Sequence, residues 1–203
     1  MFDGRHLYLL FTPSLCPRAP WDTLEAALRG GVDLVQWRTP GETDRDGAAR
    51  CVEHCSAHDV PVVINDDVEL AVELSAFGTH VGQGDTPPTK ARRMLRDEQC
   101  LGVSTHSLEE LDRALRDGAD HVGFGPMFAT TTKGYAEGQP EGALRQILAR
   151  ASVPVFPIGG ITLGGLPRLR SEGTDRAAVS SAILTAADPQ SAAAEIRAAL
   201  VAD

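Results

Sequence analysis

Residues 60–103, VPVVINDDVELAVELSAFGTHVGQGDTPPTKARRMLRDEQCLGV, alternate short apolar runs with longer amphipathic segments. The apolar runs have the length of buried strands, and the segments between them have the polarity pattern of surface helices. A strand, a helix and a second strand in this order form a parallel pair with a crossover helix. The stretch therefore predicts two consecutive βαβ units. The predicted strands are 60–64, 78–81 and 100–103, and the predicted helices are 68–74 and 89–96.

The same alternation continues in both directions and gives eight strands and eight helices. The other predicted strands are 6–11, 32–38, 119–124, 153–158 and 176–179. The other predicted helices are 21–29, 43–58, 108–116, 141–150, 163–169 and 190–200. Eight such units favour an α/β fold with a single (β/α)₈ TIM barrel, and an open doubly wound sheet is the alternative. No linker-like stretch divides residues 1–203, so we expect one TIM-barrel domain.

Composition and charge limit the classes of partner. The chain has 203 residues, of which 42% are hydrophobic and 23% charged, and its formal net charge is -9. This balance argues against a general nucleic-acid binder, which needs a basic face. It does not argue against small phosphorylated substrates, because backbone N–H groups and one or two cations can hold them. We read no signal peptide and no membrane-spanning run, and expect a cytoplasmic protein.

Polar residues and glycines follow the predicted strands, where the active site of a barrel lies. They are Gln36, Arg38, Asn65, Asp66, Asp67, Gln83, Asp85, Ser104, Thr105, His106, Gly159, Gly160, Ser180 and Ser181. Asp66 and Asp85 could share Mg²⁺, which prefers oxygen ligands. Arg38 and Lys133 would then face a diphosphate. The alternative is that Asp66 and Asp67 only cap the next helix, and this alternative is favoured for Asp67.

A second phosphate site is expected after strands seven and eight. Gly159 and Gly160 let backbone N–H groups approach an anion, and Ser180 and Ser181 add hydroxyls at the position where barrels often bind phosphate. A two-glycine turn alone is weak evidence, because any βα turn may need a glycine, but its position after strand seven strengthens it. The loop at 124–138 contains three consecutive threonines and Lys133, which suit phosphate recognition, although a solvated loop has the same composition.

Six segments resemble a known family in the family's own order. They are INDDVELA (64–71), HVGQGD (80–85), GVSTHSLEE (102–110), ADHVGFGPMFATTTKG (119–134), PIGGI (157–161) and AVSSAI (178–183). The family is thiamine-phosphate synthase, which joins hydroxymethylpyrimidine diphosphate to thiazole phosphate and releases diphosphate. The resemblance implies an Mg²⁺-dependent transferase on a TIM barrel.

The resemblance also implies roles for individual residues. Asp66 and Asp85 would hold Mg²⁺. The catalytic residues would be Arg38, Asn65, Ser104 and Lys133. The pyrimidine diphosphate would be held by Gln36, Arg38, Asn65, Ser104 and Lys133. The thiazole phosphate would be held by Thr130, Thr132, Gly160 and Ser181.

The chain departs from the family pattern beside the expected diphosphate. The family usually reads Arg-x-Lys after the second strand, whereas this chain reads Arg38-Thr39-Pro40. Position 84 is Gly where an acidic residue is common. The missing lysine puts diphosphate affinity in question, and the sequence leaves open whether Arg5 or Arg45 replaces it in space.

Three other functions stay open at this point. A thiazole tautomerase on the same barrel would use His106 as its acid or base. A non-catalytic ligand-binding barrel would explain Pro40, and a different phosphate-binding barrel isomerase is a third alternative. The sequence also leaves open whether the chain is a monomer or a homodimer.

One further motif lies on the second predicted helix. Cys51, His54, Cys55 and His58 recur at helical spacing and share one face, which suggests zinc. Four ligands on one helix rarely surround an ion, however, and a buried cysteine pair with histidines at the helix end is favoured.

Overall fold

The computed structural model describes residues 1–41, 43–129 and 136–202. These residues form eight short strands, each paired in parallel with its neighbours. The strands are β1 (Leu7–Phe11), β2 (Leu34–Trp37), β3 (Val62–Asn65), β4 (Gly78–Val81), β5 (Cys100–Thr105), β6 (His121–Phe124), β7 (Val155–Pro157) and β8 (Ala177–Val179).

Helices follow the strands throughout the described part of the chain. They are α1 (Pro20–Arg29), α2 (Arg45–Ser56), α3 (Val68–Glu73), α4 (Pro88–Met94), α5 (Leu108–Arg116), α6 (Ala143–Arg150), α7 (Leu166–Ser171), α8 (Ser181–Leu184) and α9 (Pro189–Val201). The helix predicted at 163–169 begins instead with a 3₁₀ turn, Leu163–Gly165. Helix α8 was not predicted, because four residues are too few to show a helical period. No helix among the described ranges is both long and apolar enough to cross a lipid bilayer.

The sheet closes on itself. Its order runs β7-β6-β5-β4-β3-β2-β1-β8, so the last strand lies beside the first. Ile158, which follows β7, forms a parallel bridge with Ala178 of β8 and joins the two ends. The prediction of a (β/α)₈ barrel is therefore confirmed, and the open doubly wound sheet is excluded.

The core has two shells, one on each side of the barrel wall. Leu7, Leu9 and Phe11 of β1 point outward into a large cluster that the helices cover. Tyr8 and Leu10 of the same strand point inward into a smaller cluster that also contains Phe2 and Phe156. Side chains alternate across a strand, so burial on both sides requires a continuous apolar run. This requirement explains the unbroken run LYLLF.

Capping residues place the helices close to the strand ends. The Asp67 carboxylate accepts a hydrogen bond from the Leu70 amide at 2.8 Å and begins α3 two residues after β3. The Ser107 hydroxyl accepts one from the Glu110 amide at 3.2 Å and begins α5. The cap predicted for Asp67 is confirmed, and these short connections hold Asp66 and His106 at the mouth of the barrel.

Candidate active site

The mouth at the carboxyl ends of the strands contains one pocket in which most of the predicted substrate-binding residues meet. Its floor is apolar and includes Leu10, Phe156 and Ile158. The predicted binding residues that line it are Gln36, Arg38, Asn65, Ser104, Gly159, Gly160, Ser180 and Ser181. Thr130, Thr132 and Lys133, which were predicted to join them, lie outside the described residues.

Arg38 and Asn65 connect this pocket to a second, adjoining hollow that Asp66, Asp67 and Pro40 line. Arg38 follows β2 directly, and its amide donates a hydrogen bond to the Phe11 carbonyl at 3.0 Å. The positive charge of its guanidinium lowers the pKa of Asp66, although burial and Asp85 raise that pKa more strongly. Arg38 is therefore a cation placed at the boundary between the pocket and the acidic residues.

Asp66 and Asp85 approach each other at the rim. The Asp66 amide donates to the His80 carbonyl at 2.8 Å, and Asp66 has a positive φ of 63°. The Asp85 carboxylate accepts a hydrogen bond from the Gly82 amide at 2.8 Å. These backbone contacts turn both carboxylates toward the same point, although they come from different strand ends.

The proximity of Asp85 changes the protonation of Asp66. Partial burial, followed by the hydrogen bond and charge of Asp85, raises the pKa of Asp66 to about 6. Asn65 donates a side-chain hydrogen bond to Asp66 at 2.5 Å and opposes this rise, as does Arg38. A cation bound between the two carboxylates would relieve the repulsion that contributes to the raised pKa of Asp66.

The opposite side of the pocket is built from the ends of β7 and β8. Gly159 and Gly160 have φ values of 97° and 63°, which favour glycine. A Cβ on Gly159 would lie 2.6 Å from the Pro126 Cβ, and one on Gly160 would lie 2.9 Å from the Phe128 Cβ. The glycines therefore let the segment that follows β6 pack directly against this turn.

Ser180 and Ser181 adjoin the glycine turn. The Ser180 hydroxyl donates to the Leu10 carbonyl at 3.0 Å, which fixes its side chain within the barrel. Ser181 is the first residue of α8, and an amide at that position has no acceptor inside its own helix. The glycine turn and the serine pair line the same pocket, at the position where barrels often bind phosphate.

A column of polar side chains below the mouth was not found from the sequence. The Ser104 hydroxyl lies 2.9 Å from His80 Nε2, and His80 Nδ1 lies 3.4 Å from His121 Nε2. Both rings fit because Gly102 has no side chain; a Cβ there would collide with His80 and His121. Burial lowers the pKa of His121 well below its ordinary value, so this imidazole is neutral. The inward positions of β4, β5 and β6 could have indicated the column, but only with the strand register known.

A second buried pair supports Gln36. The Gln36 amide donates to the Tyr8 hydroxyl at 2.9 Å, and both residues are buried inside the barrel. Burial raises the pKa of Tyr8 well above its ordinary value, while the hydrogen bond from Gln36 acts in the opposite direction. Tyr8 therefore stays protonated, and its hydroxyl holds the Gln36 amide in place at the pocket.

His106 also lines the pocket, after β5. Its Nδ1 lies 2.6 Å from the Gly125 carbonyl oxygen, which can only accept, so Nδ1 carries a proton. The Gln139 amide donates to the His106 carbonyl at 2.9 Å. These contacts fix the ring orientation of the residue on which the tautomerase alternative depends.

The cations considered as substitutes for the missing lysine lie elsewhere. Arg5 contacts the Met1 and Asp33 carbonyls and the Phe77 ring, below the amino ends of the strands. Arg45 pairs with Glu73 on the outer surface. Neither residue lines the pocket or the adjoining hollow, so neither replaces a lysine at position 40.

The four cysteine and histidine residues of α2 and its end do not converge on one point. Cys51 and Cys55 are buried in the outer core, whereas His54 and His58 are half-exposed and contact Glu25 of α1. A Cys₂His₂ zinc site is therefore excluded, and the expectation of a buried cysteine pair is confirmed.

The closed sheet and the polar pocket at the carboxyl ends of its strands are those of a (β/α)₈-barrel enzyme. Residues 7–183 match the family model described as thiamine monophosphate synthase. A thiamine-phosphate synthase of Bacillus licheniformis is 42% identical over 201 residues, which cover 95% of this chain and 89% of that protein. One of Synechococcus sp. (strain WH7803) is 42% identical over 178 residues, which cover 85% of this chain and 50% of that protein.

A solved structure agrees with these sequences. The thiamine phosphate pyrophosphorylase from Pyrococcus furiosus has a TM-score of 0.84 and 26% identity, with 97% of this chain and 95% of that chain covered. The chain spans about half the length of the Synechococcus relative but most of the other two proteins. The chain belongs to the thiamine-phosphate synthase family, a family of transferases of thiamine biosynthesis.

Proposed function

We propose that this chain couples hydroxymethylpyrimidine diphosphate with thiazole phosphate to give thiamine phosphate and diphosphate. Relatives that carry the name thiamine-phosphate synthase support this reaction. The observation that carries the proposal is the two-sided mouth: Asp66 and Asp85 meet beside Arg38 on one side, and the turn at Gly159 and Gly160 forms the other. The pocket and the hollow that adjoins it at Arg38 and Asn65 would thus offer places for two phosphorylated substrates.

Members of this family typically use a metal ion, and we propose Mg²⁺ for this chain. The donor set fits it, because the Asp66 and Asp85 carboxylates supply oxygen ligands, and Asp85 raises the pKa of Asp66 even though the charge of Arg38 opposes the rise. Bound there, the ion would neutralise charge that develops on a departing diphosphate.

Residues around the metal position would hold the pyrimidine substrate. Arg38 would donate forked hydrogen bonds to phosphate oxygens, and Asn65 and Ser104 would donate from the adjoining strand ends. Gln36, fixed by Tyr8, would donate to or accept from the pyrimidine ring. We retain Lys133 as a second cation for the diphosphate on the basis of the motif.

The opposite wall would hold the thiazole phosphate. Gly159 and Gly160 would let that wall approach an anion closely, and the amide of Ser181, the first residue of α8, would donate to it. We retain Ser180, Thr130 and Thr132 as further hydrogen-bonding partners on the basis of the motif.

The chemistry requires positioning more than side-chain nucleophiles. When the diphosphate leaves, the pyrimidine methylene becomes electron-deficient, and the thiazole nitrogen forms the new bond to it. The protein's contribution would be to hold the two substrates face to face over the apolar floor of Leu10, Phe156 and Ile158. That floor would also exclude the water that could capture the electrophile.

One observation favours a second candidate. His106 lies in the pocket with its Nδ1 proton directed to the Gly125 carbonyl. A residue so oriented could move a proton on a bound thiazole, as a tautomerase would. The paired carboxylates have no role in that reaction, and so the synthase is preferred.

A single assay separates the candidates. Diphosphate release is measured with each substrate alone and with both together, in the presence and absence of Mg²⁺. A synthase releases diphosphate only when Mg²⁺ and both substrates are present. Conversion of thiazole phosphate alone would identify a tautomerase, and binding without turnover would identify a non-catalytic barrel; either outcome would overturn the proposal.

A further inference from the structure

A second set of potential metal ligands lies on the outside of the barrel, between α1 and the end of α2. His54 Nε2 is 2.9 Å and His58 Nε2 is 3.0 Å from the same oxygen of Glu25, Oε2. Within the described ranges, no other group of three or more His, Cys, Asp or Glu side chains has all its ligand atoms within 4.8 Å of one another. We call Glu25, His54 and His58 the outer His–Glu cluster.

The local structure explains the convergence. His54 and His58 are four residues apart where α2 ends, so their rings lie on one face, with centroids 6.2 Å apart. Arg29, one turn after Glu25 on α1, binds the other carboxylate oxygen, Oε1, at 2.8 Å. Arg29 therefore orients Glu25 so that Oε2 faces both imidazoles, as outer-shell partners of metal ligands do.

The chemistry of the cluster suits zinc. Two imidazole nitrogens and one carboxylate oxygen form a common ligand set for Zn²⁺, with a fourth position for water. Tetrahedral zinc bonds of these types place ligand atoms about 3.3 Å apart. The distances from Glu25 Oε2 to the two histidine Nε2 atoms would therefore have to increase only slightly for an ion to enter. The three side chains are 27–29% exposed, which gives an ion and a water access.

We propose that the outer His–Glu cluster binds one Zn²⁺ through His54 Nε2, His58 Nε2 and a Glu25 carboxylate oxygen. On binding, each neutral ring carries its proton on Nδ1 and presents the Nε2 lone pair to the ion. The site is separate from the mouth, and the proposal does not depend on the proposed reaction.

Equilibrium dialysis against ZnCl₂ tests the stoichiometry. The protein is an Asp66→Ala/Asp85→Ala variant, in which the proposed site for Mg²⁺ cannot take up zinc. We expect about one Zn²⁺ per chain. Each of His54→Gln, His58→Gln and Glu25→Gln should weaken binding on the order of 100-fold, since loss of a ligand costs at least as much as loss of an outer-shell partner.

A matched control separates this cluster from surface histidine in general. His6 pairs with the single carboxylate of Asp175 and has no second imidazole beside it, so His6→Gln should leave zinc affinity unchanged. Far-UV circular dichroism establishes that each variant is folded. Absence of zinc from the folded parent protein, or unchanged affinity in the folded cluster variants, would show an ion-pair cluster only.

Tryptophan fluorescence gives a second readout that is independent of activity. Trp21 lies 6.3 Å from the His54 ring and stacks on Trp37 at 6.0 Å, and these are the chain's only two tryptophans. Cu²⁺ should bind the same imidazoles and quench this emission, and excess Zn²⁺ should restore it. Quenching that persists undiminished in folded His54→Gln protein would overturn the proposal.

Discussion

At the scale of single residues, the chemistry proposed for the mouth depends on the protonation of Asp66. A carboxyl group with a pKa of about 6 is ionised in most molecules at neutral pH, yet it still holds its proton far more strongly than an ordinary aspartate. Metal ligands must be deprotonated, so a cation at this position competes with that proton. The Asp66–Asp85 pair is thus prepared to exchange a proton for a divalent ion.

This account predicts the effect of removing one charge of the pair. In Asp85→Asn the repulsion disappears, the ionised form of Asp66 is favoured, and its pKa should fall from about 6 toward the ordinary value of 3.8. Burial, the largest single cause of the rise, remains in this variant. Titration of the carboxyl carbons by NMR, without metal, measures the change.

Asp67→Asn is the matched control, because Asp67 is the neighbouring carboxylate but caps α3 and is not among the causes of the shift. Asparagine also serves as an N-cap, so the helix should be retained. An Asp66 titration that is unchanged in Asp85→Asn, or lowered equally in Asp67→Asn, would show that the two carboxylates do not interact.

A second prediction concerns Pro40 and the affinity for the pyrimidine diphosphate. Pro40 is exposed and lines the hollow beside Arg38 and Asp66. Pro40→Lys would add the cation that the family pattern usually has, and an exposed charge pair contributes about 0.5–1 kcal/mol. The KM for the pyrimidine diphosphate should therefore fall about two- to fivefold, while the KM for the thiazole phosphate stays unchanged.

Ala149→Lys on the exposed side of α6 adds the same charge away from the mouth and is the control for the net charge. Steady-state kinetics with each substrate varied in turn would measure both constants. Equal changes in both variants, or a fall in the KM for the thiazole phosphate in Pro40→Lys, would contradict this placement of the diphosphate.

At the scale of elements, the wall built from the ends of β7 and β8 depends on backbone conformations that only particular residues adopt. Gly160→Ala places a side chain at a φ of 63° and against Phe128. We expect a loss of about 1–3 kcal/mol in the free energy of unfolding and weaker thiazole phosphate binding, since the segment after β6 must move.

Gly164→Ala is the matched control in the same loop, because a Cβ there meets no atom within 4 Å. Urea unfolding and the KM for thiazole phosphate measure the two effects. Equal stability of the two variants would mean that the turn at Gly160 tolerates a side chain and that its close packing against Phe128 does not contribute to stability.

The sequence predicts long elements better than short ones. All eight strands were predicted from their apolar runs, but β5 extends to Thr105, two residues beyond its predicted end. Ser104 and Thr105 are polar and therefore broke the apolar pattern, although their backbones continue the ladder with Gly123 and Phe124. Helix α8 was missed because its four residues span barely one turn.

At the scale of the whole molecule, closure of the barrel brings residues from distant parts of the sequence to one mouth. Strand order in a barrel follows chain order, so the residues after each strand could be assigned to one end before their distances were known. Contacts across the interior, such as those of Ser104, His80 and His121, depend on register and could not be assigned. The contact between Glu25 and His54 could not be predicted either, because it depends on how α1 packs against α2.

We propose that the mouth of the barrel holds a metal-bound diphosphate beside Asp66, Asp85 and Arg38. The most direct measurement is a crystal structure with Mn²⁺ in place of Mg²⁺ and the pyrimidine diphosphate, in which anomalous scattering locates the metal. We predict one peak coordinated by Asp66 and Asp85, with diphosphate oxygens on the metal and within hydrogen-bonding distance of Arg38. A diphosphate bound in the mouth with the metal elsewhere, or a metal bound by neither aspartate, would contradict the account.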